Sequence, residues 1–177
     1  MGRPIRAIYA GTFDPIHHGH LDLIERGSNL FDELYVSVYD HRIPSKSILF
    51  PVDTRCAMIK DAVVDLDNVT VLPFSGLLVD FAKKIGATVL VRGLRVFSDF
   101  EFEFRSALAN KRLYPQIESV MLMAKEENTF LSGTTVREIA SLGGDVSSMV
   151  PPKVAKALYA QFEKEREHYR RPLPLRD

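Results

Sequence analysis

Five short apolar runs, at residues 3–10, 33–39, 69–74, 88–91 and 118–124, alternate with segments whose apolar residues recur at helical spacing. No other feature restricts the fold as strongly. Runs of this length bounded by Gly, Pro and Asp read as strands, whereas Leu21, Leu23, Ile24, Leu30 and Phe31 follow the period of a helix. Helical segments are also expected at residues 52–63 and 77–85. Strands separated by helices are joined in parallel, because a parallel neighbour is reached through a crossover. The expected class is α/β, a doubly wound five-stranded parallel sheet with helices on both faces. Ligands of such sheets bind beyond the carboxyl ends of the strands, so the residues after each strand carry the functional signal.

Residues 98–113 are locally ambiguous. Phe100, Phe102 and Phe104 alternate with period two, as a strand would. Ser98 followed by Glu101 forms a capping-box pattern, however, and the run from Ser106 to Leu113 favours helix, so a helix is expected. Thr135 and Glu138 suggest a second capping box opening a helix at residues 135–141. After Pro151 and Pro152, a last helix places Val154, Leu158 and Phe162 on one face. The 177 residues suffice for one domain, with a core at about residues 4–162 and a charged helix end and tail at 163–177.

Lys+Arg and Asp+Glu are equal at 23 each, so no overall field draws the chain to nucleic acid or an anionic membrane. A polyanion must be held by a local cluster. The single cysteine, Cys56, excludes an intramolecular disulfide and reads as a buried structural thiol. No apolar run reaches the length of a membrane span, and the first residues carry no signal-peptide core, so a cytoplasmic protein is expected.

Three strand ends carry phosphate-binding chemistry. After the first strand stands GTFDPIHHGH, residues 11–20, with His17 and His20 at a helix start whose free N–H groups favour an anion. Metal ligation by His17, His18 and His20 would want further Cys, His or carboxylate ligands, and the only other histidines are His41 and His168. After the fourth strand, Arg92 and Arg95 flank Gly93 and Leu94; guanidinium groups bind phosphate oxygens in pairs. After the fifth, NTFLSGTTVR, residues 128–137, leads into a helix with Arg137 one turn inside. No nucleophile–base pair stands out, so direct in-line transfer at phosphorus is the chemistry these motifs suit.

The strings resemble the (H/T)xGH nucleotidyltransferase superfamily, here HHGH at residues 17–20 and SGTTVR at 132–137. Within it they are similar to the bacterial phosphopantetheine adenylyltransferases, above all through RGLRVFSDFEFE at residues 92–103, with FSGLL at 74–78 and GDVSSMVP at 144–151 in support. The resemblance spans about residues 6–158. It implies a Rossmann-like fold, usually hexameric. The implied reaction is transfer of the adenylyl group of ATP to 4′-phosphopantetheine with Mg²⁺, giving dephospho-coenzyme A and pyrophosphate.

The same resemblance assigns roles. His20 would stabilise the transition state at the α-phosphate, and Lys46 and Arg92 would hold the acceptor's phosphate. Thr12 and Phe13 would contact ATP, Thr12 the acceptor as well. Arg92, Gly93, Leu94, Arg95, Glu103 and the loop of Asn128, Thr129, Phe130, Leu131, Ser132, Gly133 and Thr134 would surround ATP. Leu78 would line the pantetheine arm, with Asn110 nearby. Mg²⁺ is expected on ATP phosphates and water, with no metal ligand from the protein. The partners implied are the two substrates and further copies of the chain.

The sequence also departs from the family. His17 stands where Thr is usual, in the manner of nicotinate-mononucleotide adenylyltransferase, which is the nearest rival reading. Gly133 replaces a usual Ser, a change that a backbone contact would tolerate. Ser106 and Ala109 replace larger apolar residues near the pantetheine channel. A non-catalytic nucleotide-binding module is the rival from another class, but it would not need His20, Thr12 and Lys46 together.

Overall fold

The computed structural model describes residues 3–41 and 48–170, with side chains described through residue 164. Lys46 and residues 171–177 therefore lie outside the described residues. Five strands form one parallel sheet: β1 (Arg6–Gly11), β2 (Glu33–Tyr39), β3 (Val69–Phe74), β4 (Val89–Leu94) and β5 (Glu118–Met123), in the order β3-β2-β1-β4-β5. The chain builds outward from β1 to β3, then returns to the other side of β1 for β4 and β5. The switch point thus falls between β1 and β4.

Alternation along the strands sends side chains to both faces. Ala7 and Tyr9 of β1, with Leu34, Val36 and Val38 of β2, join one core cluster. Against them pack α1 (His18–Leu30), α2 (Val52–Ala62), α5 (Gly133–Ser141) and α6 (Pro152–Arg170) through residues such as Ile24, Ile59, Val136 and Leu158. The opposite face carries Ile8, Ala10 and Leu90 under α3 (Leu78–Ile85) and the end of α4 (Phe97–Leu113). Burial on both sides is why the strands read as nearly unbroken apolar runs. Val154, Leu158 and Phe162 are buried as one stripe, and so is Cys56. Among the described residues no helix is long and apolar enough to cross a membrane.

Two helix starts differ from expectation. The N-cap of α4 is Val96, not Ser98. Asp99 instead reaches back to accept from the Arg95 backbone N–H at 3.1 Å, and the helix opens two residues earlier than a Ser98 cap would set it. The N-cap of α5 is Ser132, whose side chain accepts from the Thr135 N–H at 3.0 Å, so Thr135 is the third helical residue rather than the cap. Strand β4 also runs three residues past Val91, which puts Arg92 inside the sheet beside Met121.

Helix α4 resolves the period-two ambiguity in an unusual way. Phe100, Phe102 and Phe104 are all about half exposed or more, while Glu103 is 8% exposed. The helix faces the sheet with a carboxylate and turns Phe97, Phe100 and Phe104 outward.

Candidate active site

The end of β1 turns sharply into α1. Phe13 takes the left-handed conformation, with φ 50°, at a cost a non-glycine residue bears only where its surroundings hold it there. Those surroundings are visible. The Phe13 ring packs edge-on against Tyr9 (5.4 Å between centroids) and His20 (4.9 Å). Thr12 stays exposed beside it.

His17 and His20 cap α1 reciprocally. The His20 N–H donates to His17 Nδ1, and the His17 N–H donates to His20 Nδ1, both at 3.3 Å. The rings stack with centroids 3.6 Å apart. A nitrogen that accepts cannot carry the proton, so each neutral ring has its hydrogen on Nε2. Burial, the neighbouring His17 and Arg95 hold the His20 pKa well below its ordinary value. Burial first, then Arg95 and His18, lower that of His17 to about 4. At neutral pH His20 is an uncharged N–H donor lining the cavity, and His17, 4% exposed, is its support. A charged His20, which would have strengthened the phosphate grip, is not what this environment favours.

On β4, Arg92 is gripped on two sides. Its Nε donates to Glu103 Oε2 at 2.7 Å and its Nη2 to Oε1 at 2.6 Å, while Nη1 donates to the Ala10 carbonyl at 3.0 Å. Burial works against the Arg92 charge, but the Glu103 carboxylate holds its pKa above the usual value. Glu103 thus meets Arg92 with both oxygens. Arg95 is paired with Asp99 at 3.2 Å and donates to the Leu131 carbonyl at 3.1 Å, tying β4 to the loop before α5.

A second tier of residues that the sequence reading passed over fixes these loops. Asp14, 4% exposed, accepts from the N–H groups of Leu49 (2.7 Å) and Phe50 (2.9 Å) and from Arg137 at 3.3 Å; Arg137 also donates to the Asp14 carbonyl. Arg55, 2% exposed, donates to the carbonyls of Thr12, Tyr39 (3.1 Å) and Phe50 (2.9 Å). The only sequence signal for either was the Asp14-Pro15 turn. Arg55 reads as a polar position on a surface helix, because two of its three partners, Thr12 and Tyr39, lie 43 and 16 residues away.

A cavity of about 310 Å³ opens where these elements meet. Of the expected site residues, Thr12, Phe13, His20, Arg92, Gly93, Arg95, Glu103, Asn128 and Leu131 line it, together with Tyr9, His17 and Leu23. Leu94, Thr129, Phe130, Ser132, Gly133 and Thr134 do not, and Phe130 is 59% exposed. A Cβ on Gly133 would stand 2.9 Å from the Asp14 carbonyl oxygen, so in this chain the position is not free to carry Ser without a backbone shift. A second cavity, about 410 Å³, is lined by Leu77, Leu78, Phe102, Ser106, Ala109 and Asn110 and shares Arg92 and Glu103 with the first. Among the described residues no group of three or more His, Cys, Asp or Glu is placed to hold a metal.

Fold and site together define a nucleotidyltransferase: imidazole and guanidinium donors at the switch point of a parallel sheet, with adjoining room for a second substrate. The sequence matches the cytidylyltransferase-like family over residues 8–139. It is 46% identical over 159 residues to the phosphopantetheine adenylyltransferase of Dictyoglomus turgidum, covering 90% of this chain and 98% of that one. It is also 46% identical to that of Dictyoglomus thermophilum over 158 residues, with 89% and 95% covered. A crystal structure from Vibrio parahaemolyticus, assigned to nicotinate-nucleotide adenylyltransferase, superposes with a TM-score of 0.65 over 88% of this chain and 99% of that chain. At 21% identity it shows the shared fold alone. The chain belongs to the phosphopantetheine adenylyltransferase family.

Proposed function

We propose that the chain transfers the adenylyl group of ATP to 4′-phosphopantetheine by direct in-line attack. A phosphate oxygen of the acceptor forms a bond to the α-phosphorus as the bond to the β-phosphate oxygen breaks, and pyrophosphate leaves. His20 carries the reading. Its Nδ1 is held by the His17 N–H, which leaves Nε2–H as a preorganised donor for charge that builds on the α-phosphate oxygens. Arg92, aligned by Glu103 and shared between the two cavities, would hold the acceptor phosphate, with the arm along Leu78 and Asn110. Lys46, which lies outside the described residues, would join it. Arg95, Thr12, Phe13 and the loop at Asn128 and Leu131 would hold ATP.

Mg²⁺ would fit this site through the nucleotide, because the donors here are cations and amides, and Glu103 already pairs with Arg92. When bound it would offset charge on the leaving pyrophosphate. The rest of the proposal is a single cytoplasmic domain that associates with its own copies. The exposed apolar face of α4 supports the association.

The test is pyrophosphate release with ATP or CTP against 4′-phosphopantetheine or nicotinate mononucleotide. ATP with 4′-phosphopantetheine should react and yield dephospho-coenzyme A. Turnover of nicotinate mononucleotide alone would reject the acceptor.

A further inference from the structure

The first cavity contains a polar group that the adenylyltransferase reading leaves without a role. Tyr9, on the central strand, is 6% exposed and lines the cavity with His20, Arg92 and Arg95. Its ring is fixed by Phe13 and lies 6.5 Å from His20. The hydroxyl makes no hydrogen bond to any described residue, although a buried tyrosine oxygen normally finds a partner. Tyr9 borders the cavity together with the anion-binding groups.

The charges that act on this hydroxyl are those of Arg92, Arg95 and Glu103. It therefore lies in the same neighbourhood as the anion-binding groups. Burial raises its pKa well above the ordinary phenol value, more than the two arginines lower it, so it stays a protonated donor across the working pH range. Pure packing on β1 would be served as well by phenylalanine.

We propose that Tyr9 is a further substrate-binding residue, whose hydroxyl donates a hydrogen bond to a phosphate oxygen held between His20, Arg92 and Arg95. The inference rests on the adenylyltransferase reading for the identity of the ligands. The phosphate could belong to ATP or to 4′-phosphopantetheine, and separate titrations distinguish them.

Tyr9→Phe removes the oxygen and leaves the ring against Phe13. Calorimetric titrations of ATP and of 4′-phosphopantetheine into wild-type and Y9F protein, beside steady-state turnover and thermal melts, form the experiment. One titration, or kcat, should weaken by roughly tenfold with Tm unchanged, and the substrate affected names the phosphate contacted. Unchanged titrations and kcat overturn the proposal, whether or not Tm falls. A wild-type chain that binds ATP but does not adenylylate 4′-phosphopantetheine would reject the acceptor alone; the ATP titration of Y9F would still decide the role of Tyr9.

Discussion

In the proposed mechanism His20 is a donor whose effect grows as charge builds on phosphorus, and only such differential contacts speed a reaction. His20→Ala should therefore lower kcat by about 10²–10³ while ATP titrations change little. Near-normal kcat would make the stacked histidines structural. Arg92→Lys tests a different contact. A lysine cannot meet both Glu103 oxygens and the Ala10 carbonyl in one plane, so the KM for 4′-phosphopantetheine should rise by roughly tenfold with less effect on that for ATP. His17 links the site to stability. Its pKa is near 6.5 when unfolded and about 4 when folded, so as pH falls from about 6.5 to about 4 the unfolded chain takes up a proton that the native one refuses. The His17 contribution to stability should drop across that window by something on the order of 3 kcal/mol and level off below it. Urea melts of wild type and His17→Thr between pH 7 and pH 4 should show the steeper loss in wild type. At this scale the sequence made much of the cavity lining legible, because GTFDPIHHGH and RGLR are local strings. Asp14 and Arg55 were not legible, since the carbonyls and amides they satisfy lie up to 43 residues away.

The elements were read well where periodicity is local: β2 and β3 were located to the residue, and the buried stripe of α6 was expected from its spacing. Helix α4 was harder. Its type could be argued, but which face turns inward could not, because Glu103 is buried by an ion pair from β4 that no periodicity announces. The start of α5 shows the same effect in a loop. Ser132 caps the helix, Gly133 passes the Asp14 carbonyl, and Arg137 closes the contact one turn later. Gly133→Ser should thus be destabilising here, by about 1–3 kcal/mol as overpacking typically is, and should lower turnover by moving the Asp14 turn. Denaturant unfolding beside activity reads both effects. Equal stability of the variant would mean that the loop relaxes freely.

Across the whole molecule, the sheet order explains why a site so dispersed in sequence is compact in space. Placing β4 beside β1 brings Arg92 to the Ala10 carbonyl across 82 residues, and α5 returns Arg137 to Asp14 across 123. The same topology leaves α4 at the edge with one side on the two cavities and the other on solvent. Phe97, Phe100, Phe104 and Leu108 fall on that outer side, at 93%, 49%, 50% and 57% exposure, and the Phe100 and Phe104 rings stack at 5.8 Å. A contiguous apolar stripe of this kind marks an association surface. If copies of the chain meet there, Phe100→Asp with Phe104→Asp should convert a multimer to monomer in sedimentation velocity at micromolar concentration. The second cavity is walled by Phe102 and Asn110 of the same helix, so the dissociated variant should also show a raised KM for 4′-phosphopantetheine, with ATP binding preserved. A wild-type chain that sediments as a monomer would refute association through α4 and leave the transfer chemistry of each chain untouched.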